Sequence, residues 1–331
     1  MEVKTMKAMV ASSYGGPEVF QLRHVPISHP EKDEVLVKVH VASLTTADTM
    51  MRVGKPYIGR LFTGIRKPKH PIPGTGFSGV VVAVGENVTR FVEGDEVFGE
   101  TTLGFSTHAE YVLLPENGVI QHKPENLPHE EAASYGDGVL TAYNFLIEIA
   151  NLTPGQRVLI NGAAGAVGSA GLQIAKHFGA HVTAVASAHN HGKLTQLGAD
   201  ACIDYQTQDF TESNQLFDVV FDAVGKSSYA KCKSILTPNG IYLSTVLKAS
   251  ILWDSFITAL TQSTKRAAFA ATGLRKDHEL NEMLSEVIKI QQKGALHLPI
   301  DRQYPLEKLA EAHGYLSTGK KKGNVILRVE S

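Results

Sequence analysis

The sequence predicts an α/β protein: a β-rich, barrel-like region followed by a doubly wound parallel sheet. Three observations predict it. Short β-branched runs parted by Gly/Pro turns fill the first 130 residues, and apolar strands alternate with amphipathic helices after Pro128. One of those strands also runs straight into a glycine cluster that opens a helix. In chain order, Val35–Val41, Gly79–Val84 and Ala109–Leu114 read as strands, separated by turn clusters at Gly15–Pro17, Pro71–Gly74 and Glu93–Asp95. A helical pattern spans about Glu130 to Ala150, and the turn Thr153–Gly155 follows it. Strands are then expected at Arg157–Asn161, His181–Ala186, Ala201–Asp204, Asp218–Asp222 and Gly240–Ser244, with helices at Val167–Phe178 and His191–Leu197. Near-continuous apolar strands bounded by helices mean a parallel sheet covered on both faces. From about His278 the alternation breaks into a long helix to Lys293, the segment Leu298–Asp301, a helix around Leu306–Ser317 and a strand Asn324–Val329. The run Lys320–Lys322 reads as a solvated turn, with contact to an anionic cofactor as the alternative.

Composition excludes several functions. The 331 residues carry 32 Lys+Arg against 33 Asp+Glu, a formal net charge of −1, which removes the electrostatic case for a nucleic-acid binder. Hydrophobic residues make up 43%, enough for a packed core rather than a disordered chain. Cys202 and Cys232 are too few for a disulfide framework or a Cys-rich zinc site, and reduced cytosolic thiols are expected. The start, Met1–Lys7, is too polar for a signal peptide, and no apolar run approaches the ~20 residues needed to cross a bilayer. A cytoplasmic protein without membrane or nucleic-acid partners is expected.

The most informative stretch is Arg157–Gly168, where a strand leads into Gly162-Ala163-Ala164-Gly165-Ala166-Val167-Gly168 and a helix follows at once. From Ala163 it reads A-x-G-x-x-G, a dinucleotide fingerprint with Ala in place of the first glycine. Gly165 lets backbone approach the phosphates, Gly168 lets the helix pack on the strand, and the free N–H groups of the helix start face the anion. The alternative is a tight strand–helix turn with no ligand. An NAD site places Asp or Glu about 20 residues further on, to hold the ribose hydroxyls. Between Ile149 and Ala199 there is no acidic residue at all, and the second strand is followed by Ser187, Asn190 and Lys193. These three can donate to a 2′-phosphate that a carboxylate would repel, so NADP(H) is the expected cofactor. His189 and His191 could be read as a metal pair, but solvated loop imidazoles are the preferred reading.

Ordered motifs across nearly the whole chain resemble the medium-chain dehydrogenase/reductase superfamily, zinc-free quinone oxidoreductase branch. They include Tyr14-Gly-Gly-Pro-Glu-Val19, Pro73–Gly79, Gly94–Gly99, Leu140–Tyr143, the glycine loop, Phe221–Gly225, Ala310–His313 and Lys322–Ile326. The resemblance implies a GroES-like catalytic domain over 1–129 and a Rossmann NADP-binding domain over 130–272. A C-terminal segment, 273–331, would return to the first domain, with the active site in the cleft between domains. It also implies a homodimer paired through the nucleotide-domain sheet edge, here Arg266–Thr272. Further cofactor contacts carried over from the family are Thr141, Tyr205, Ala223, Val224, Gly225 and Asn324. Ala249–Leu260 is amphipathic at helical spacing, a core helix or an apolar wall of the substrate cleft.

Departures from the family pattern bear on chemistry. The catalytic-zinc positions align with Thr45, Thr75 and roughly Asp137, and two threonines with one carboxylate do not make a zinc site. Gly76 stands where relatives carry an acid. Without zinc, hydride transfer to a quinone or conjugated C=C bond needs only a hydrogen-bond donor at the oxygen. Thr45 and Tyr57 are the candidate donors, with packing as the alternative for Tyr57 and solvent as the proton source. Asp137 is expected to cap a helix starting near Gly138, the alternative being a substrate-orienting carboxylate. The leading expectation is an NADPH-dependent, zinc-independent quinone or enone reductase. A zinc-independent carbonyl reductase or alcohol dehydrogenase, and a non-catalytic NADP-binding protein, are the alternatives.

Overall fold

A computed structural model describes residues 4–330, so the reading of Met1–Val3 as the beginning of a polar start lies outside the described residues. The chain forms two compact units. One comprises Met1–Asp137, Gly273–Ile288 and Pro299–Ser331; the other comprises Gly138–Thr272 and Lys289–Leu298.

The first unit is built on a seven-stranded sheet. Its central strand, Glu34–Leu44, pairs antiparallel with Gly76–Val84, Tyr111–Pro115 and Asn324–Arg328. Glu96–Glu100 and Val119–His122 extend one side, and Ile300–Pro305 lies parallel to Asn324–Arg328 on the other. The alternation in Val35, Val37 and Val39 puts these residues in a common core with Phe77, Val97 and Ile120. Leu309 and Leu316, from the helix Leu309–Ser317, close over the same core. The C-terminal strand is therefore an integral part of this sheet.

The second unit holds a six-stranded, wholly parallel sheet. Its spatial order is Ala201–Asp204, His181–Ala186, Arg157–Asn161, Phe217–Asp222, Leu236–Ser244, Arg266–Phe269. In chain order this is 3-2-1-4-5-6, the doubly wound arrangement, and ligands of such sheets bind beyond the strand C-termini where the order reverses. That reversal falls between Arg157–Asn161 and Phe217–Asp222. The fold is α/β, with a GroES-like sheet in one unit and a Rossmann-type sheet in the other.

The expected helix from Glu130 to Ala150 is helical but broken. It runs as His129–Ala132, a π-helical turn Tyr135–Val139, Leu140–Tyr143 and a second π-helical stretch Asn144–Ile149. Gly136 sits where a Cβ would come within 2.7 Å of the Gly99 carbonyl oxygen, so the turn presses onto the strand Glu96–Glu100. Asp137 consequently lies inside a π-helical turn, not at a helix start. The expected N-cap role is corrected.

Candidate active site

The glycine loop follows the strand Arg157–Asn161 as the fingerprint requires. Gly162 adopts φ +82°, and the N–H groups of Gly162 and Ala163 both bond the carbonyl of Val185. Gly168 cannot bear a side chain: a Cβ there would lie 2.3 Å from the Gly162 oxygen and 2.8 Å from the Cα of Ala163. Gly165 is different. A Cβ there would meet only the Gly162 oxygen, at 3.4 Å, so nothing in the protein demands its smallness. What a side chain would obstruct is a ligand approaching the start of the helix Ala166–His177, where no side chain caps the free N–H groups. Ala166 and Val167 belong to that first turn. The loop thus fits a pyrophosphate.

Asp222, fully buried at the end of the neighbouring strand, ties this region together, and sequence reasoning missed it. Its Oδ1 accepts from Asn161 Nδ2 (2.9 Å) and the Val224 N–H (3.3 Å), while its Oδ2 accepts from the Ser227 N–H (2.8 Å) and the Tyr242 hydroxyl (2.9 Å). The tips of three parallel strands are thereby fixed, and Ala223, Val224 and Gly225 are held beside the glycine loop. A Cβ on Gly162 would strike Val224. At the end of the second strand, Ser187 and Asn190 are buried and bonded to each other at 3.2 Å, Lys193 is half-buried, and no acid stands in the sequence nearby. Tyr205 is 56% exposed after the third strand, and Thr141 is half-buried in Leu140–Tyr143. In the first unit, the Asn324 N–H and amide both donate to the Pro299 carbonyl, at 2.8 and 3.3 Å.

The first unit also gathers a group of charges that the sequence does not reveal. Thr45 caps the helix Thr46–Val53: its hydroxyl oxygen accepts from the Asp48 N–H (3.3 Å), while its N–H (2.7 Å) and its hydroxyl (2.9 Å) donate to Asp48 Oδ2. Burial raises the Asp48 carboxyl to about 6, against the pull of these bonds and of the Lys321 charge. Burial, then the Asp48 charge, raise Asp137 to about 6 as well, and a bond to Thr45 and the Lys321 ammonium oppose the shift. Glu100 is pushed well above the carboxylate range by burial, then by Asp137 and Asp48. Lys321 itself is lowered by burial, while Asp137, Asp48 and Asp301 favour its charge. Lys320 and Lys322 are exposed, as expected of a solvated turn, whereas Lys321 is half-buried, with the charges of Asp137, Asp48 and Asp301 acting on it.

Glu100 has a further meaning. Gly76 and Glu100 are register partners across two antiparallel strands, so a carboxylate stands on the strand opposite that glycine. A Cβ at Gly76 would lie 2.4 Å from Ser43 Oγ and 2.6 Å from the Ala133 oxygen. Among the described residues, no three His, Cys, Asp or Glu side chains converge as a metal site requires. The other candidate donor, Tyr57, is 66% exposed, its ring held beside the Arg60 guanidinium at 4.9 Å, with the Tyr14 ring at 4.3 Å from the same guanidinium.

A doubly wound sheet with this loop, joined to a GroES-like sheet, defines a nicotinamide-dependent oxidoreductase. Residues 31–125 match the family model described as alcohol dehydrogenase GroES-like domain, and residues 197–327 the one described as zinc-binding dehydrogenase. The chain is 33% identical to 2-methylene-furan-3-one reductase of Solanum lycopersicum, over 97% of this chain and 79% of that one. It is 30% identical to quinone oxidoreductase of Homo sapiens, over 96% and 97%. The structure of the quinone oxidoreductase from Coxiella burnetii matches with a TM-score of 0.86 and 31% identity, covering 99% of this chain and 100% of that one. This protein belongs to the medium-chain dehydrogenase/reductase superfamily, in its quinone oxidoreductase branch. No helix among the described residues is long and apolar enough to cross a membrane.

Proposed function

We propose that this protein is an NADPH-dependent, zinc-independent reductase that delivers hydride to a quinone or an α,β-unsaturated carbonyl. The observation that carries the reading is the group around Thr45. Where zinc-dependent relatives are expected to hold a metal, this chain places two threonines, raised carboxyls and the ammonium of Lys321. A fixed monovalent cation among these acids supplies the charge balance and repels a divalent ion. The relatives point the same way, since a methylene-furanone is a conjugated enone and the others are quinone reductases by name.

When bound, the nicotinamide supplies the hydride. The N–H groups of Ala166 and Val167 would hold the pyrophosphate, and Ser187, Asn190 and Lys193 would bind the 2′-phosphate. Within the second unit, Thr141, Tyr205, Ala223, Val224 and Gly225 would contribute the rest of the cofactor seat, shaped by Gly162, Ala163, Gly165 and Gly168; Asn324 is the first unit's candidate contact. Thr45 or Tyr57 donates to the substrate oxygen as negative charge develops on it. The Thr45 hydroxyl donates to Asp48 Oδ2, so for Thr45 to serve the substrate oxygen its single O–H would turn away from Asp48, with solvent supplying the proton. We infer further that the protein works in the cytoplasm as a homodimer joined along Arg266–Phe269, the last strand of the parallel sheet.

The test is NADPH oxidation with a panel of quinones, enones, simple ketones and aldehydes after exhaustive dialysis against chelator. Turnover of quinones or enones at full rate without zinc is expected. Turnover only of simple ketones and aldehydes, or activity restored by one zinc per chain, would refute the reading.

A further inference from the structure

The exposed apolar side chains of this protein are not scattered evenly. In the first unit, Tyr57, Ile58, Leu61, Phe62 and Ile65 all stand in solvent within a stretch of nine residues. Ile58, Leu61, Phe62 and Ile65 follow the i, i+3, i+4, i+7 spacing that ordinarily buries one stripe of a helix against a core. Here they are between 53% and 70% exposed. The other side of the segment is the side that is held. It consists of a 3₁₀ turn, Tyr57–Gly59, and a short helix, Arg60–Thr63. Arg60 is half-buried, lies over the Tyr14 ring and donates through Nε to the Gly54 carbonyl at 2.9 Å. Tyr14 donates its hydroxyl to the Gly64 carbonyl and lies 3.0 Å from Thr63 Oγ1. Polar groups fix this segment to the protein, and its apolar groups are turned outward.

The charge beside these side chains has one sign. No acid occurs between Asp48 and Glu86, whereas Lys55, Arg66, Lys67 and Lys69 are all exposed. Among the described residues, none of these four cations is in an ion pair. The Lys69 N–H donates to the Thr63 carbonyl at 2.7 Å, which folds the cationic stretch 66–69 back against the short helix. The expectation of no membrane partner rests on a net charge of −1 and on spanning runs, and neither measures a local patch.

Protein interfaces favour aromatic residues and arginine and are poor in lysine. Three of these four cations are lysines, and three of the four apolar residues in the exposed stripe are aliphatic. Aliphatic side chains protruding beside lysines suit a lipid headgroup layer, which admits apolar groups of any shape and attracts cations through its anionic lipids. We propose that residues 55–69 dock this protein on a membrane surface rich in anionic phospholipid, with Ile58, Leu61, Phe62 and Ile65 entering the headgroup boundary. The contact is peripheral and independent of the reaction proposed above.

The test is flotation of the full chain with vesicles of phosphatidylcholine, alone or mixed with phosphatidylserine. Binding to the mixed vesicles about tenfold tighter or more, and weakened by added salt, is expected. No binding, or equal binding to both compositions, overturns the proposal. Leu61→Ser/Phe62→Ser should weaken binding by about tenfold or more. Arg66→Gln/Lys67→Gln/Lys69→Gln should weaken it by about 100-fold, at roughly fivefold per cation. All five positions are exposed, and thermal unfolding checks that each variant is folded; if one is not, the other carries the test. Tyr57 is kept in both, as a candidate donor to the substrate. Trp253→Ser/Phe256→Ser removes an exposed apolar pair from the helix Ala249–Leu260 of the second unit and should bind vesicles as wild type does. An equal loss there reveals unspecific adhesion and overturns the proposal. Two further outcomes overturn it by assigning the patch elsewhere. Salt-sensitive binding to poly-glutamate without vesicle binding assigns it to an acidic protein, and a smaller sedimenting species in Leu61→Ser/Phe62→Ser assigns it to a second copy of this chain.

Discussion

The two units solve opposite electrostatic problems by opposite means. The nucleotide unit prepares for an anion with backbone N–H groups from one short turn, and the chain around that turn is free of acids from Ile149 to Ala199. The other unit concentrates acids, Asp48, Glu100 and Asp137, and takes them from three distant stretches of chain. Backbone donors suit a phosphate because their dipoles are fixed by the fold and need no side chain to be ordered. A proton-holding group needs titratable side chains brought close enough to shift one another, and only tertiary structure does that.

The largest effect should come from breaking the backbone site. Gly168→Ala places a Cβ 2.3 Å from the Gly162 oxygen, so either the helix start or the loop must move. A displacement near 1 Å at such a site costs about 100-fold in catalytic efficiency, and kcat/KM for NADPH should fall at least that far. Gly165→Ala meets nothing closer than 3.4 Å and should leave the melting temperature unchanged while still weakening NADPH binding, measured by quenching of Trp253 or nucleotide fluorescence. Equal behaviour of the two variants would show that the loop is merely structural.

A second substitution sharpens the contrast by bringing an acid into the acid-free unit. Ser187→Asp puts a carboxylate at the end of the second strand, where it repels a 2′-phosphate and accepts from ribose hydroxyls. The ratio of kcat/KM for NADPH to that for NADH should fall by about tenfold or more, the equivalent of about 1.4 kcal/mol. An unchanged ratio would remove Ser187, Asn190 and Lys193 from the cofactor assignment.

The same contrast explains what could be read from the residues alone. Arg157–Asn161, His181–Ala186 and Ala201–Asp204 have the predicted bounds because strand, glycine turn and helix are local patterns. Asp222 was passed over because its value lies in four bonds to residues 2 to 61 positions away, none of them visible as spacing. Asp137 looked like a helix cap because an acid before a glycine is a common helix start. The π-helical turn that places it inside the helical run depends on Gly136 pressing against the Gly99 carbonyl. Lys321 looked solvated because charge runs usually are, and its acid partners lie some 180 to 270 positions earlier in the chain or at Asp301.

The acid group can be broken through its pH dependence. Asp137 and Asp48 hold their protons up to about pH 6 when folded, against an ordinary value of 3.8. Between about pH 4 and pH 6 the folded protein therefore binds more protons than the unfolded chain, and stability falls as pH rises through that window. Asp137→Asn removes one of these groups and, by deleting a negative neighbour, eases the ionisation of Asp48. The decline from pH 4 to pH 6 should shrink by about 2 kcal/mol, read from urea midpoints at each pH. Lys321→Met should steepen it instead, since the ammonium opposes both shifts. If Asp137→Asn leaves the slope intact, Asp137 is not one of the groups that bind a proton in this window on folding.

The smallest effect addresses whether Thr45 serves only its own helix. Its hydroxyl and N–H complete a reciprocal capping arrangement with Asp48, and loss of such a cap costs about 1 kcal/mol. Thr45→Ala should lose about that much, while Thr45→Ser keeps the hydroxyl and should stay close to wild type. The turnover number separates the roles. A cap alone predicts that kcat in Thr45→Ala is unchanged at temperatures where the variant is folded. A hydroxyl that also meets the substrate oxygen predicts a fall in kcat of about tenfold or more, restored by serine, because the donor is then missing where charge develops. Thr45 belongs to the acid-rich unit by position, yet its contribution would be a single neutral donor. That is the same device the glycine loop uses, supplied here by a side chain that Asp48 holds in place.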